Sequence, residues 1–165
     1  MRYETQGQER VLIDTTGVWG LFLEGSVYHR FMERLRAEKI IVIPLVSIVE
    51  NIYPVYRTFS EEYVAPEKGL KKLQSLAHFY RAIPIEEGVR VYDLALGDVI
   101  LALRIADEDG DLFLDEKGGL RLFDALIAAA WMRTRLPLYT VDRALRRFGE
   151  RHGLESREIG KEASA

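Results

Sequence analysis

The sequence predicts an α/β fold in which a mainly parallel sheet is covered by helices on both faces. Short apolar runs rich in β-branched residues alternate with longer segments whose apolar residues recur at helical spacing. Nearly continuous apolar runs are typical of parallel strands that are buried on both sides. A chain of 165 residues has a length typical of one domain. We therefore expect a single domain over 1–165, with its core at about 10–153.

Four apolar segments are predicted to be strands, and a fifth, short strand is expected within 155–165. The four lie at 10–14, 40–43, 82–85 and 136–140. Segments with a helical pattern lie at 15–24, 27–39, from Pro44 onward, 68–80, 89–106, 120–135 and 143–153. A polar connection with turn signals spans 107–119. We expect Pro44 to open its helix, Pro54 to kink or end that helix, and Gly153 to cap the last one.

The composition narrows the class of protein. Hydrophobic residues make up 48%, charged residues 30%, and the net charge is -3, so any nucleic acid would bind through a local patch or bridging metal ions. The chain has no cysteine, which excludes disulfides and thiolate metal sites. No phosphate-binding loop or dinucleotide fingerprint occurs, so no nucleotide cofactor is expected. The polar first ten residues resemble no signal peptide and no segment resembles a membrane span, which together predict a cytoplasmic protein.

Two aspartates follow predicted strands directly. Asp14 comes after an apolar run that begins the fold, and Asp142 comes after the last predicted strand. Ligands of parallel α/β sheets bind outside the carboxyl ends of the strands, which favours a functional role for both. Each aspartate is equally suited to cap the helix that follows it. The residues alone leave both interpretations open.

Two further acids lie within apolar helical segments. Glu50 falls beside the apolar stripe of its helix, which on its own favours a boundary glutamate that reaches water. That stripe is expected to contain Leu45, Val46, Val49, Ile52 and Tyr53. Asp124 is the only charged residue between Arg121 and Arg133. Aspartate is unfavourable inside a helix, so Asp124 favours a functional role over a capping one.

The four acids together support a stronger hypothesis than each does alone. A doubly wound sheet can bring all four carboxylates to one crevice, where they would repel one another unless cations neutralised them. Hard oxygen ligands select Mg²⁺ or Mn²⁺ rather than zinc. Metal ions held in this way activate a water and stabilise the leaving oxygen of a phosphodiester.

The order of these motifs resembles that of the PIN-domain family, in particular the VapC-type toxins of prokaryotic toxin–antitoxin pairs. The motifs are the strand-end Asp14-Thr15, the Pro44 to Glu50 segment with Ser47, the Phe123-Asp124-Ala125-Leu126 run, and Thr140-x-Asp142. The resemblance extends from Val11 to about Phe148. It implies a three-layer α/β/α sandwich with a central, mainly parallel sheet, and metal-dependent endonucleolytic cleavage of RNA.

The same resemblance implies roles for individual residues. Asp14, Glu50, Asp124 and Asp142 become the catalytic and metal-binding acids, with Mg²⁺ or Mn²⁺ as the cofactor. Thr140, Thr15 and Ser47 become accessory residues that orient the acids or a ligand. The partners implied are an RNA substrate, a small antitoxin protein and a second copy of the chain, since the apolar early helices also favour a homodimer.

A basic cluster begins just after Asp142. Arg143, Arg146 and Arg147 lie at helical spacing and are candidate contacts to the RNA backbone, although a solvated helix face explains them as well. Two other functions share the fold: a PIN-fold RNA-binding or regulatory protein with weak catalysis, and a housekeeping RNA-processing nuclease. A haloacid-dehalogenase-like phosphatase is disfavoured, because its second acid would fall on Thr16.

Overall fold

Five parallel strands form the centre of the fold in the computed structural model, which describes residues 7–23, 25–60, 81 and 88–161. They are β1 (Arg10–Ile13), β2 (Ile40–Pro44), β3 (Val89–Tyr92), β4 (Leu138–Tyr139) and β5 (Ser156–Arg157). Their order across the sheet is β3-β2-β1-β4-β5, so β1 lies in the middle and pairs with both β2 and β4. This arrangement confirms the predicted α/β fold with a parallel sheet, including a short last strand.

Helices connect the strands and cover the sheet. Those that the structure describes are α1 (Thr15–Phe22), α2 (His29–Glu38), α3 (Leu45–Ser60), α4 (Leu96–Glu108), α5 (Gly110–Phe113), α6 (Leu122–Thr134) and α7 (Arg143–His152). Among these described helices, none combines the length and the apolar character needed to cross a membrane.

The sheet buries an apolar cluster against each of its faces. Successive side chains of a strand point to opposite faces. Accordingly, Leu12 packs with Trp131 of α6 and Phe148 of α7, whereas Val11 and Ile13 pack with residues of α1 and α2. Helices α4, α6 and α7 therefore cover one face, and α1 and α2 cover the other. The three-layer sandwich implied by the motif resemblance is confirmed.

The region around β3 differs from the prediction. Residues 89–92 were expected to begin a long helix, but they form β3, and α4 begins only at Leu96. The alternating Val89-Arg90-Val91-Tyr92 pattern suits a strand, and its backbone pairs with β2. Asp98 then fixes the helix start, because its carboxylate accepts a hydrogen bond from the Ala95 N–H at 2.8 Å. The strand predicted at 82–85 and the helix at 68–80 lie outside the described residues.

The predictions for α3 were partly wrong. Pro44 is the last residue of β2 and does not open the helix, and α3 continues past Pro54 to Ser60. A proline removes one internal hydrogen bond, a loss that this sixteen-residue helix accommodates. Val49 and Ile52 are 46% and 40% exposed, respectively, although both were assigned to the buried stripe. Contacts with α1 and α6 set the buried side of α3 instead.

Candidate active site

Asp14 and Asp142 both cap helices at the carboxyl edge of the sheet. One oxygen of Asp14, Oδ1, accepts a hydrogen bond from the Gly17 N–H at 2.9 Å and caps α1. The Oδ1 atom of Asp142 accepts from the Leu145 N–H at 2.9 Å and caps α7. Because β1 and β4 are neighbours, the two caps lie beside each other. Capping uses one oxygen of each carboxylate and leaves Oδ2 for other partners, so capping and a functional role are compatible.

Thr140 joins these two aspartates. Its side chain is fully buried, and its hydroxyl donates a hydrogen bond to Asp14 Oδ2 at 2.5 Å. The hydroxyl oxygen of Thr140 also accepts a hydrogen bond from the Asp142 N–H at 3.0 Å. The backbone N–H of Thr140 donates to the Arg157 carbonyl oxygen at 2.9 Å, which holds Thr140 at the end of the sheet. One hydroxyl group therefore fixes the relative position of two acids.

Glu50 reaches the same edge from α3. The hydroxyl of Thr15 donates a hydrogen bond to Glu50 Oε2. The adjacent Asn51 is buried, and its Nδ2 donates to the carbonyl oxygens of Thr15 and Ser47 at 3.2 and 3.1 Å. These bonds fasten α3 to the start of α1, directly after Asp14. Ser47 lies on the same side of α3, and its buried hydroxyl has no hydrogen-bond partner in the part of the chain that the structure describes.

Asp124 lies in the first turn of α6 and is paired with an arginine. The N-cap of α6 is Arg121, so Asp124 is inside the helix, as the sequence indicated. Arg121 Nη2 lies 2.7 Å from Asp124 Oδ2 and 3.1 Å from Asp142 Oδ2. Its Nη1 donates to the Leu112 carbonyl oxygen at 3.1 Å. A single guanidinium thus bridges two of the four acids.

The electrostatics show that the acids influence one another. Burial raises the pKa of Asp14 to about 6, against the lowering effect of the hydrogen bonds from Thr140 and Gly17, and the charge of Asp142 adds to the rise. Burial also raises the pKa of Asp124. The charges of Asp142 and Glu50 act in the same direction there, and Arg121 opposes them. Both shifts reflect carboxylates held close together with little water, a state that a cation stabilises.

The chemical type of the donor atoms in the cluster suits a hard divalent cation. The cluster offers carboxylate and hydroxyl oxygens, the ligands that Mg²⁺ and Mn²⁺ prefer. In the described part of the chain, however, no three or more histidine or acidic side chains are arranged to hold one ion as they stand. Arg121 lies between Asp124 and Asp142, where an ion would otherwise bridge them. The residues therefore fit such an ion by donor type, and binding requires the side chains to close around it.

A cavity of about 700 Å³ adjoins the acids. Arg121 and Asp142 belong to both the cavity wall and the acidic cluster. Further along, Arg143 and Arg147 of α7 line it. Of the three arginines predicted to contact RNA, these two face the cavity, whereas Arg146 is not part of its wall and lies 3.8 Å from Glu158.

Two residues of the site were missed by the sequence analysis. Arg121 was treated only as a flanking charge, although it stands three residues before Asp124, at a spacing that brings side chains together on a helix. Asn51 was overlooked because it is next to Glu50 in an apolar segment. The sequence does contain a signal for it: Asn51 is a second polar residue in that segment, four positions after Ser47, so the two lie on the same helix face.

The fold and the site together define an α/β protein with an acidic crevice at the carboxyl ends of β1 and β4. The family model of the PIN domain matches residues 11–151. The chain therefore belongs to the PIN domain family, as the motif order suggested. None of the curated proteins compared with the chain matches it in sequence.

Several solved structures share this fold. VapC20 from Mycobacterium tuberculosis, a Sarcin-Ricin loop cleaving toxin, is 15% identical with a TM-score of 0.55, covering 84% of this chain and 95% of that chain. VapBC2 from Rickettsia felis, bound to a DNA fragment from its promoter, is 16% identical with a TM-score of 0.54, covering 92% and 99%. FitAcB from Neisseria gonorrhoeae is 12% identical with a TM-score of 0.55, covering 88% and 95%. At these identities the likeness is one of fold.

Proposed function

We propose that this protein is a metal-dependent endoribonuclease that acts in the cytoplasm as the toxin of a toxin–antitoxin pair. The observation that carries the proposal is the meeting of four acids from separate elements at one edge of the sheet. Asp14 and Asp142 are linked through Thr140, and Asp124 and Asp142 are linked through Arg121. Membership of the PIN domain family supports a nuclease, and the name of VapC20 supports RNA as the substrate.

The residues have distinct roles in this proposal. Asp14, Glu50, Asp124 and Asp142 would hold Mg²⁺ or Mn²⁺. When bound, such an ion would polarise the attacking water and stabilise the charge that develops on the leaving oxygen. Thr140 and Thr15 orient the carboxylates of Asp14 and Glu50 through their hydroxyl groups.

The cavity beside the acids offers a path for the RNA backbone. Arg143 and Arg147 line it next to Asp142, and the exposed Arg147 is held only by a 3.6 Å ion pair with Asp111, which an approaching phosphate would replace. Binding of this kind is not sequence-specific and weakens as the salt concentration rises. The net charge of the chain is -3 and the cavity wall also carries Asp111, Asp115 and Glu116, so RNA binding would rely on these arginines together with bridging metal ions.

The variants Asp14→Asn and Asp124→Asn test the carboxylate mechanism. Asparagine is as good an N-cap as aspartate, so the first variant keeps the bond from Gly17, removes the charge and places an amide NH2 group against the Thr140 hydroxyl. We expect both variants to lose Mg²⁺- and Mn²⁺-dependent cleavage of labelled RNA while melting cooperatively. Asp107→Asn, at an exposed position of α4, is the matched control and retains activity. Full activity of either site variant contradicts the mechanism.

A PIN-fold RNA-binding protein with little catalysis is a second candidate. It is favoured by the pairing of Arg121 with two of the acids, and by the lack of a ready group of three metal ligands among the described residues. Incubation of the protein with RNA at saturating Mn²⁺ distinguishes the two functions. A nuclease releases shortened RNA, whereas a binding protein retards RNA in a gel and leaves it intact.

We also propose that the protein forms a homodimer and pairs with a small antitoxin that blocks the crevice. Apolar side chains are exposed on two helices: Val49 and Ile52 of α3, and Leu96, Ile100 and Leu103 of α4. Such exposed apolar groups are typical of protein–protein contacts. A monomer in sedimentation at micromolar concentration counts against the dimer. If the chain purifies from its native host active and without an inhibitor, the housekeeping nuclease is favoured over the toxin.

A further inference from the structure

Arg121 is a cation built into the acidic cluster. Its guanidinium contacts three elements: Asp124 of α6, Asp142 at the start of α7, and the Leu112 carbonyl oxygen of α5. The side chain is 36% exposed, so it lies at the boundary between the acids and the adjoining cavity, whose wall it shares. An arginine side chain stays charged at every pH at which the protein is folded.

The contacts of Asp142 differ from those of the other acids. One of its oxygens accepts the capping bond from the Leu145 N–H, and the other faces Arg121. Asp14 accepts hydrogen bonds from the Gly17 N–H and the Thr140 hydroxyl, which are neutral. A neutral donor leaves an oxygen able to bind a metal ion as well. A guanidinium brings a full positive charge to the same oxygen and repels a second cation there.

Asp124 is only partly engaged by the arginine. Arg121 contacts its Oδ2 atom at 2.7 Å. The nearby Glu50 uses Oε2 for the Thr15 hydroxyl. The hydrogen bonds described for Asp14 and Glu50 come from neutral amide and hydroxyl groups, so these two carboxylates and Asp124 remain the set from which an ion would draw its ligands.

We propose that Arg121 takes the place of one metal ion and withdraws Asp142 from the metal-binding set, so that each free chain binds one divalent ion and not two. This inference rests on the proposed metal-dependent function and reduces the four metal ligands proposed there to Asp14, Glu50 and Asp124 in the free chain. The Nη2 atom stands 2.7 and 3.1 Å from the two oxygens that a bridging ion would need. Such an ion would have to approach each oxygen to about 2.0–2.1 Å, which the nitrogen between them prevents.

The guanidinium also supplies the charge that a second ion would offer to RNA. A planar guanidinium matches the oxygens of a phosphate group in a bidentate geometry. Arg121 shares the wall of the cavity with Arg143 and Arg147, so a phosphate that enters the cavity can pair with it.

The alternative is a purely structural role, in which Arg121 only fastens α5 and α7 to the start of α6. That alternative predicts that its replacement lowers stability and leaves metal binding unchanged. Counting bound ions without RNA therefore separates the two roles. The full-length chain is titrated with Mn²⁺, and the free ion is measured by electron paramagnetic resonance.

We expect one Mn²⁺ per chain for the wild type and two for Arg121→Gln. Arg121→Lys keeps the positive charge and is expected to bind one. Arg104→Gln, at an exposed position of α4 where the arginine pairs with Glu108, is the matched control and binds one. In the double variant Arg121→Gln/Asp142→Asn the second ion is lost again, because the released carboxylate is removed.

The outcomes that overturn the inference differ from those that overturn the proposed function. Two ions in the wild type, or one ion of unchanged affinity in folded Arg121→Gln, refute the role of Arg121 and leave the metal site standing. Absence of bound Mn²⁺ in every variant refutes the metal site itself, and the inference with it. The wild-type count alone tests the inference if Arg121→Gln does not fold.

Discussion

Thr140→Val removes one hydroxyl group and tests whether the acids need to be held in place. Valine has nearly the shape of threonine, so the buried position stays filled. The hydroxyl donates to Asp14 Oδ2 at 2.5 Å and accepts from the Asp142 N–H at 3.0 Å, and valine can make neither bond. Both aspartates then lose the group that fixes them relative to each other.

The substitution has two separate effects, one on the free energy of unfolding and one on metal binding and activity. Leaving the Asp142 N–H without its partner lowers the free energy of unfolding by about 1–3 kcal/mol. Loss of a group that orients metal ligands typically lowers metal affinity or activity by about 10–100-fold. We expect both effects in Thr140→Val, with the larger change in Mn²⁺ affinity and RNA cleavage.

Thr140→Ser is the matched control. Serine keeps the hydroxyl and loses one buried methyl group, which costs roughly 1 kcal/mol of stability. The two variants are therefore destabilised to a similar degree, but only the valine variant loses the bonds to the acids. Urea denaturation, Mn²⁺ titration and cleavage of labelled RNA are measured on both. Equal Mn²⁺ affinity and equal cleavage in the two variants would falsify the positioning role of Thr140.

Two further predictions concern the ion pairs of Asp109 and the arginines of the cavity. Asp109→Asn lowers the free energy of unfolding at neutral pH by about 1–2 kcal/mol. Burial would raise the pKa of Asp109, but hydrogen bonds from Arg151 and His152 in the last turn of α7 outweigh it and lower the pKa from its usual value. Urea denaturation should therefore show the difference at pH 7 and its loss as the pH falls through that lowered pKa. An equal difference at acid pH contradicts the assignment. For RNA binding, replacing Arg143 and Arg147 by glutamine reduces the slope of log affinity against log salt by about 1.4, whereas Arg146→Gln leaves it unchanged. Equal slopes in the two variants, measured by filter binding, exclude the cavity as the RNA path.

Local patterns predicted most of the sheet and the acids at its edge. The run before Asp14 and the run before Asp142 are apolar strands followed at once by a helix start, and both signals lie within a few neighbouring residues. A parallel sheet then brings the ends of adjacent strands together whatever the intervening sequence. Thr140 was identified from the motif resemblance, and its two hydrogen bonds became visible only in three dimensions.

The features that the sequence did not reveal depend on contacts between distant segments. Arg121 and Asp142 are 21 residues apart and meet because α6 and α7 begin at the same edge. The exposed side of α3 could not be predicted from hydrophobicity, since Val49 is apolar and is still 46% exposed. Likewise, β3 was assigned to a helix because its four residues precede a helical pattern without a break.

The helix starts around the acidic cluster, together with Arg121, allow the fold to hold four carboxylates close together without relying on a metal ion. Asp14 and Asp142 cap α1 and α7, and Asp124 lies in the first turn of α6, so three helices direct their N-termini toward the cluster. Each N-terminus stabilises a nearby carboxylate by about 0.3–1 kcal/mol, and Arg121 adds a full positive charge. These contributions oppose the mutual repulsion of the acids. Helix capping was the alternative to a functional role for Asp14 and Asp142 in the sequence analysis. In the structure, capping helps to hold the acids close together.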